Sequence, residues 1–151
     1  MDIDLILAIA HHLAVFTLVA AFAAEFALLR PGLGGARIGQ LARIDAAYGG
    51  LAALVIVVGV LRVTFGASGW HYYVTNYAFW AKMAAFLAMG LLTIPPTIAI
   101  RRWLAGQKGD AGFVVPESEI AANRRYIYLQ GATLVAIPSF AAVMARGYGV
   151  A

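Results

Sequence analysis

The sequence predicts an all-α integral membrane protein, a four-helix bundle of up-down-up-down topology with both termini on the periplasmic side. Three observations predict it. Hydrophobic residues make up 63% of the chain and charged residues 12%, with a mean hydropathy of +0.84, which leaves too little polar surface to coat a soluble globule. Four stretches reach the roughly 20 apolar residues that a helix needs to cross a bilayer. The basic residues cluster in alternate connections, as topology signals do.

The four spans are expected at about 3–29, 45–65, 77–100 and 126–145, in a single transmembrane domain covering 1–151. The first is too long for a cleaved signal peptide, and Asp2 and Asp4 stand where a basic region would be. Pro31-Gly32 and Gly34-Gly35 end it. On the second, Gly49, Gly50, Ala52, Ala53 and Gly59 suit close helix packing. In the third, Pro95-Pro96 is expected to kink the helix or divide it from a short extension, and Pro138 to bend the fourth. Ser118, among acidic neighbours, is placed to cap a short helix leading into the fourth.

The first connection carries Arg30, Arg37 and Arg43, and the third Arg101, Arg102, Lys108, Arg124 and Arg125. The second, residues 66–76, has His71 as its one titratable cation. The positive-inside rule therefore puts the first and third connections in the cytoplasm, so a bacterial cytoplasmic (inner) membrane is expected, with the lipid bilayer as the chain's main partner. Basic residues confined to such flanks give no support to nucleic-acid binding. With no cysteine, disulfides, thiolate metal sites and cysteine nucleophiles are excluded. There is no phosphate-binding glycine loop, catalytic triad or zinc-protease motif.

Function has to be sought among the polar residues inside the spans. At about 1.5 Å of rise per residue, His11 lies roughly 12 Å, Lys82 roughly 8 Å and Arg62 roughly 5 Å from one membrane boundary. With His12 they form a layer of cations and imidazoles that contains no carboxylate. Ionisable groups at such depth usually face the bundle interior or a cavity, although Arg62 and Lys82 are near enough to the boundary to snorkel, and Asp2 or Asp4 is within reach of Arg62. Glu25 is roughly 20 Å further along helix 1, among Arg30, Arg43, Asp45, Arg101 and Arg102, where an interhelical ion network is expected.

Adjacent helical residues point about 100° apart. His11 and His12 therefore cannot share one direction: one is free to ligate a metal while the other faces a neighbouring helix or the second subunit of a homodimer. A closed zinc site needs about four ligands, which this layer does not supply. A haem needs one or two, and its propionates pair with cations. The layer accordingly points to haem b, with His11 or His12 on the metal and Arg62 and Lys82 on the propionates. Trp70, Tyr72, Tyr73, Tyr77, Phe79 and Trp80 read as an interfacial aromatic belt. The alternative is a lid in which Tyr72, Trp80 and His71 cover a flat ligand.

The strings LARIDAAYGG, VVGVLRVTFGASGWHYY, NYAFWAKMAAFLAMGLLTIPPT and YLQGATLVAIPSFAAVMARGYG resemble the bacterial four-helix membrane proteins of domain of unknown function 2214. That resemblance implies a topology and no activity. HHLAVFTLVAAFAAEFALLRP followed by FWAKM looks, more distantly, like the HemJ-type protoporphyrinogen IX oxidases and the CopD-type copper-resistance proteins. The HemJ likeness implies a haem- or porphyrin-linked histidine at His11 and lysine at Lys82. It departs from that pattern at Glu25 and at Arg30-Pro31, where the HemJ type has a Pro-Arg pair.

Three readings result. The first is a haem- or porphyrin-binding membrane protein for electron transfer or porphyrin redox chemistry, with a quinone or other redox partner and, if an enzyme, of the protoporphyrinogen-oxidase type. The second is a packing or scaffold subunit whose histidines only hydrogen-bond. The third is a small metal or anion transporter that requires an oligomer to enclose a path.

Overall fold

The computed structural model describes residues 2–149. It contains α1 (Ile3–Leu28), α2 (Ala36–Phe65), α3 (Gly69–Val74), α4 (Tyr77–Gly109) and α5 (Glu117–Ala145), with no strand among the described residues. All but α3 are long and apolar enough to cross a membrane, with mean hydropathy of 2.2, 2.1, 1.9 and 1.6 in chain order.

Three helices are longer than their apolar spans. α2 starts at Ala36 rather than near Asp45 because Ile38 and Leu41 bury while Arg37, Gln40 and Arg43 stay exposed, an amphipathic extension beyond the hydrocarbon. α5 likewise starts at Glu117, with Ile120 and Asn123 buried. Its cap position is Pro116, and Ser118 lies inside the helix rather than capping it. α4 runs unbroken through Pro95 and Pro96 to Gly109. Pro96 cannot donate to the Leu92 carbonyl four residues back, and the Gln130 side-chain amide donates to that oxygen instead, at 3.2 Å.

Inward residues recur at alternating spacings of three and four in all four long helices, the pattern of antiparallel bundles packed near 20°. On α1 the stripe is His11, Ala14, Leu18, Ala21 and Glu25; on α2 it runs Leu41, Asp45, Tyr48, Ala52, Val55, Gly59, Arg62. On α4 it is Lys82, Phe86, Met89, Thr93, Pro96, Ile100 and Trp103, and on α5 Ile120, Asn123, Ile127, Gln130, Leu134, Ile137. Neighbours around the bundle are α1–α2, α2–α4, α4–α5 and, more lightly, α5–α1.

Polarity is arranged inside out. Glu25, Asp45, Asn123 and Gln130 are buried, whereas Leu13, Phe16, Ile56, Val57, Leu87, Leu91, Ile98 and Val135 are exposed. That is the distribution a bilayer selects, because apolar side chains are solvated by lipid and polar ones seek the interior.

The first and last described residues share one end of the bundle with α3. There Asp4 accepts from the Ala67 amide at 3.2 Å, the Tyr77 amide donates to the Gly149 carbonyl at 2.9 Å, and the Asn76 side chain donates to the Tyr148 carbonyl at 3.2 Å. The opposite end is closed by Leu29, Leu33, Ile38, Ile100, Trp103 and Val115, with the Val115 amide donating to the Leu33 carbonyl at 2.9 Å. Between the ends lies an apolar layer of Ala14, Leu18, Val55 and Met89.

Candidate functional site: a cationic cavity between α1, α2 and α4

His11 opens the inward stripe of α1, and Gly59 gives its ring room against α2: a Cβ on Gly59 would lie 3.6 Å from His11 Cε1. One turn on, Arg62 ends the α2 stripe, and Lys82 enters from the first turns of α4. These side chains converge on a cavity of about 70 Å³, completed by Val63, by Tyr73 of α3 and by Met144 of α5.

The cavity is charged and undersupplied with partners. His11 Nδ1 and Arg62 Nε are both buried with no hydrogen-bond partner. Arg62 and Lys82 are near enough to act electrostatically on His11 and on each other. Lys82 Nζ also lies 5.3 Å from the centroid of the Phe79 ring, a cation–π contact that balances only part of its charge. Among the described residues no carboxylate lines the cavity. Asp4 accepts from the Ala67 amide and Asp2 from the Asp4 amide, and among the described residues neither forms an ion pair with Arg62.

The other residues singled out in the sequence lie elsewhere. His12 is exposed on a different face, its Nδ1 bonded to the Ala8 carbonyl at 2.7 Å, with its ring 6.4 Å from that of His11. His71 is exposed and stacks on Trp70 at 3.6 Å between centroids. Trp80 is exposed and donates to the Val74 carbonyl at 3.0 Å. Tyr72 borders the site without lining it, its hydroxyl donating to the Met144 carbonyl at 2.8 Å. Gly59, Val63, Tyr73 and Met144 also line the cavity, and the sequence marks none of them as a site residue. The three-and-four stripe through Asp45, Tyr48 and Val55 points to Gly59, whereas nothing in the sequence separates Tyr73 from Tyr72.

The ion network expected at the other end does not form. Among the described residues the ion pair is Arg102–Glu119, joined by the Trp103 indole donating to Glu119 at 2.6 Å. Glu25 is buried at 1% exposure with both carboxylate oxygens unpartnered. Asp45 accepts from the Thr97 hydroxyl at 2.6 Å. An open cleft of about 300 Å³ between Arg30 and Arg37 lies on the connection from α1 to α2. Among the described residues no three His, Cys, Asp or Glu side chains are grouped to hold a metal ion.

Four long helices with apolar outer faces define a multi-pass membrane protein, and a family model described as a predicted membrane protein, DUF2214, matches residues 3–149. The chain belongs to the DUF2214 family. No curated protein and no solved structure matches it. The family description carries no activity, so the chemistry of this DUF2214 bundle has to come from its own side chains.

Proposed function

We propose that this DUF2214 protein binds the anionic group of a ligand, a carboxylate or a small oxoanion, in the cavity formed by His11, Arg62 and Lys82. One observation carries the reading: two cations and an imidazole converge on a cavity that no carboxylate of the described residues lines, with His11 Nδ1 and Arg62 Nε buried and unpartnered among those residues. Buried charges are normally paired, and unmatched donors carry their full desolvation cost. An anion supplies the missing partner to all three. Arg62 offers a planar fork to two oxygens, Lys82 a point charge, and His11 a single ring N–H.

Size favours a small group. A water molecule takes about 30 Å³, so about 70 Å³ matches a carboxylate or a comparable oxoanion. Sites for ligands of cofactor size run to roughly 300–1,000 Å³. The residues supply haem b with one imidazole and two propionate partners, but the cavity does not fit its ring. A haem reading is favoured by the unpartnered His11 Nδ1 alone and requires α1, α2 and α4 to move apart. Because four helices enclose no continuous path without an oligomer, we read the cavity as a binding site rather than a channel.

The test is the unfolding temperature of the detergent-purified protein on titration with formate, acetate, phosphate and chloride. A saturable rise is expected for at least one anion, lost in Arg62→Met and Lys82→Met. In parallel, visible spectra of oxidised and dithionite-reduced protein from haem-supplied cells test the haem reading. A stoichiometric Soret band lost in His11→Ala replaces the small-anion reading with haem; no response to any anion and no Soret band overturns both.

A further inference from the structure

We propose that Glu25 and Asp45 form a binding site for one monovalent cation, a proton or a sodium ion, in the half of the bundle away from the His11 cavity. This does not depend on the anion reading.

The carboxylate of Glu25 is 1% exposed, and neither of its oxygens has a partner. It belongs to the inward stripe of α1, and Asp45 and Tyr48 on the inward stripe of α2 are close enough to interact with it electrostatically. The charged group that acts on it therefore has the same sign. Two carboxylates in a bundle core, with no cation between them, repel one another and lack the solvation that a charge needs.

The surrounding helices relieve this at Asp45 and not at Glu25. α2 contributes Asp45 and Tyr48, and its Arg43 is exposed. From α4, Thr97 donates to Asp45, and the exposed Arg101 acts on Asp45. α5 presents Ile127 and Gln130, neither of them titratable, and its nearby cation Arg124 is held by the Leu29 carbonyl at 2.6 Å and lies over the Phe26 ring. The Tyr48 hydroxyl is already committed to Gln130 at 3.2 Å. With Arg101 acting on Asp45, the two carboxylates keep one uncompensated negative charge, which matches one positive charge. A divalent ion of the calcium class takes six to eight oxygen ligands, more than this group offers.

The experiment measures the unfolding temperature of the full chain in detergent across acidic to alkaline pH, in choline chloride and in sodium chloride at equal ionic strength. For a proton site, the wild type loses stability as pH rises in both salts. For a sodium site, sodium restores at alkaline pH the stability lost in choline. Glu25→Gln, which keeps the shape and removes the charge, is expected to lose the dependence that the wild type shows. Parallel behaviour of wild type and Glu25→Gln in both salts overturns the proposal. If Glu25→Gln does not fold, labelling of wild-type Glu25 by dicyclohexylcarbodiimide, read by mass spectrometry, decides. Labelling suppressed by alkaline pH or by sodium supports the site. Labelling indifferent to both, or absent throughout, overturns it.

Discussion

His11 and Glu25 occupy the same inward stripe of α1, four helical contacts apart through Ala14, Leu18 and Ala21, or about 21 Å at 1.5 Å of rise per residue. The two residues have in common buried polar atoms without partners. One faces cations and the other a carboxylate, and the layer of Ala14, Leu18, Val55 and Met89 stands between them. Distance and that layer put the two polar groups in different halves of the bundle.

Leu18 is 2% exposed in this layer, so Leu18→Ala opens a cavity there. In a bilayer the transfer part of the usual cost falls away and the packing part remains, about 2 kcal/mol. Unfolding in a graded series of detergent mixtures is expected to show that loss, while anion protection at the His11 cavity persists.

Gly59 provides a sharper test of the cavity. At 3.6 Å from His11 Cε1, the methyl of Gly59→Ala makes an ordinary contact and is expected to leave anion binding within threefold of wild type. Gly59→Leu drives a branched side chain into the ring and fills the space of about 70 Å³. It is expected to abolish the anion-dependent rise in unfolding temperature with helix content unchanged. Retention of the rise in Gly59→Leu places the anion somewhere else.

Much of this was legible in the sequence, for definite reasons. The spans are set by hydropathy, and counting residues along them brings His11, Arg62 and Lys82 to one layer, because helix rise converts sequence directly into depth. What depth cannot give is azimuth. The stripes of three-and-four spacing carry it, and they separate His11 from His12 and place Glu25 inward rather than among surface arginines. The amphipathic starts of α2 and α5 lie outside the apolar windows, so a hydropathy reading truncates them. The continuity of α4 through Pro95-Pro96 depends on a donor from Gln130 on another helix, a tertiary effect that no local rule reports.

The histidines outside the cavity give a control. His12 is exposed with its Nδ1 on its own helix, and His71 stacks on Trp70 away from the bundle core. His12→Ala and His71→Ala are expected to change stability by less than about 0.5 kcal/mol, the usual range for surface sites. Neither is expected to alter anion protection, whereas His11→Gln is expected to weaken it. Loss of protection in His71→Ala means that α3 closes over the ligand and contributes directly.

Gln130 is the polar hub of the bundle centre. Its Oε1 accepts from the Tyr48 hydroxyl and from the Thr93 hydroxyl, each at 3.2 Å, and its Nε2 donates to the Leu92 carbonyl that Pro96 leaves free, at 3.2 Å. Interhelical hydrogen bonds in membranes average about 0.6 kcal/mol each, so Gln130→Leu is expected to cost about 2 kcal/mol for the three. Gln130→Glu keeps both acceptor contacts and loses the amide donor to Leu92, and as a carboxylate it adds a third buried negative charge near Glu25 and Asp45. It is therefore expected to be less stable than Gln130→Leu at alkaline pH and to recover on acidification, measured as unfolding temperature against pH. Equal stability of the two variants across that range means that Gln130 contributes shape rather than hydrogen bonds, and that the α4 prolines are accommodated without it.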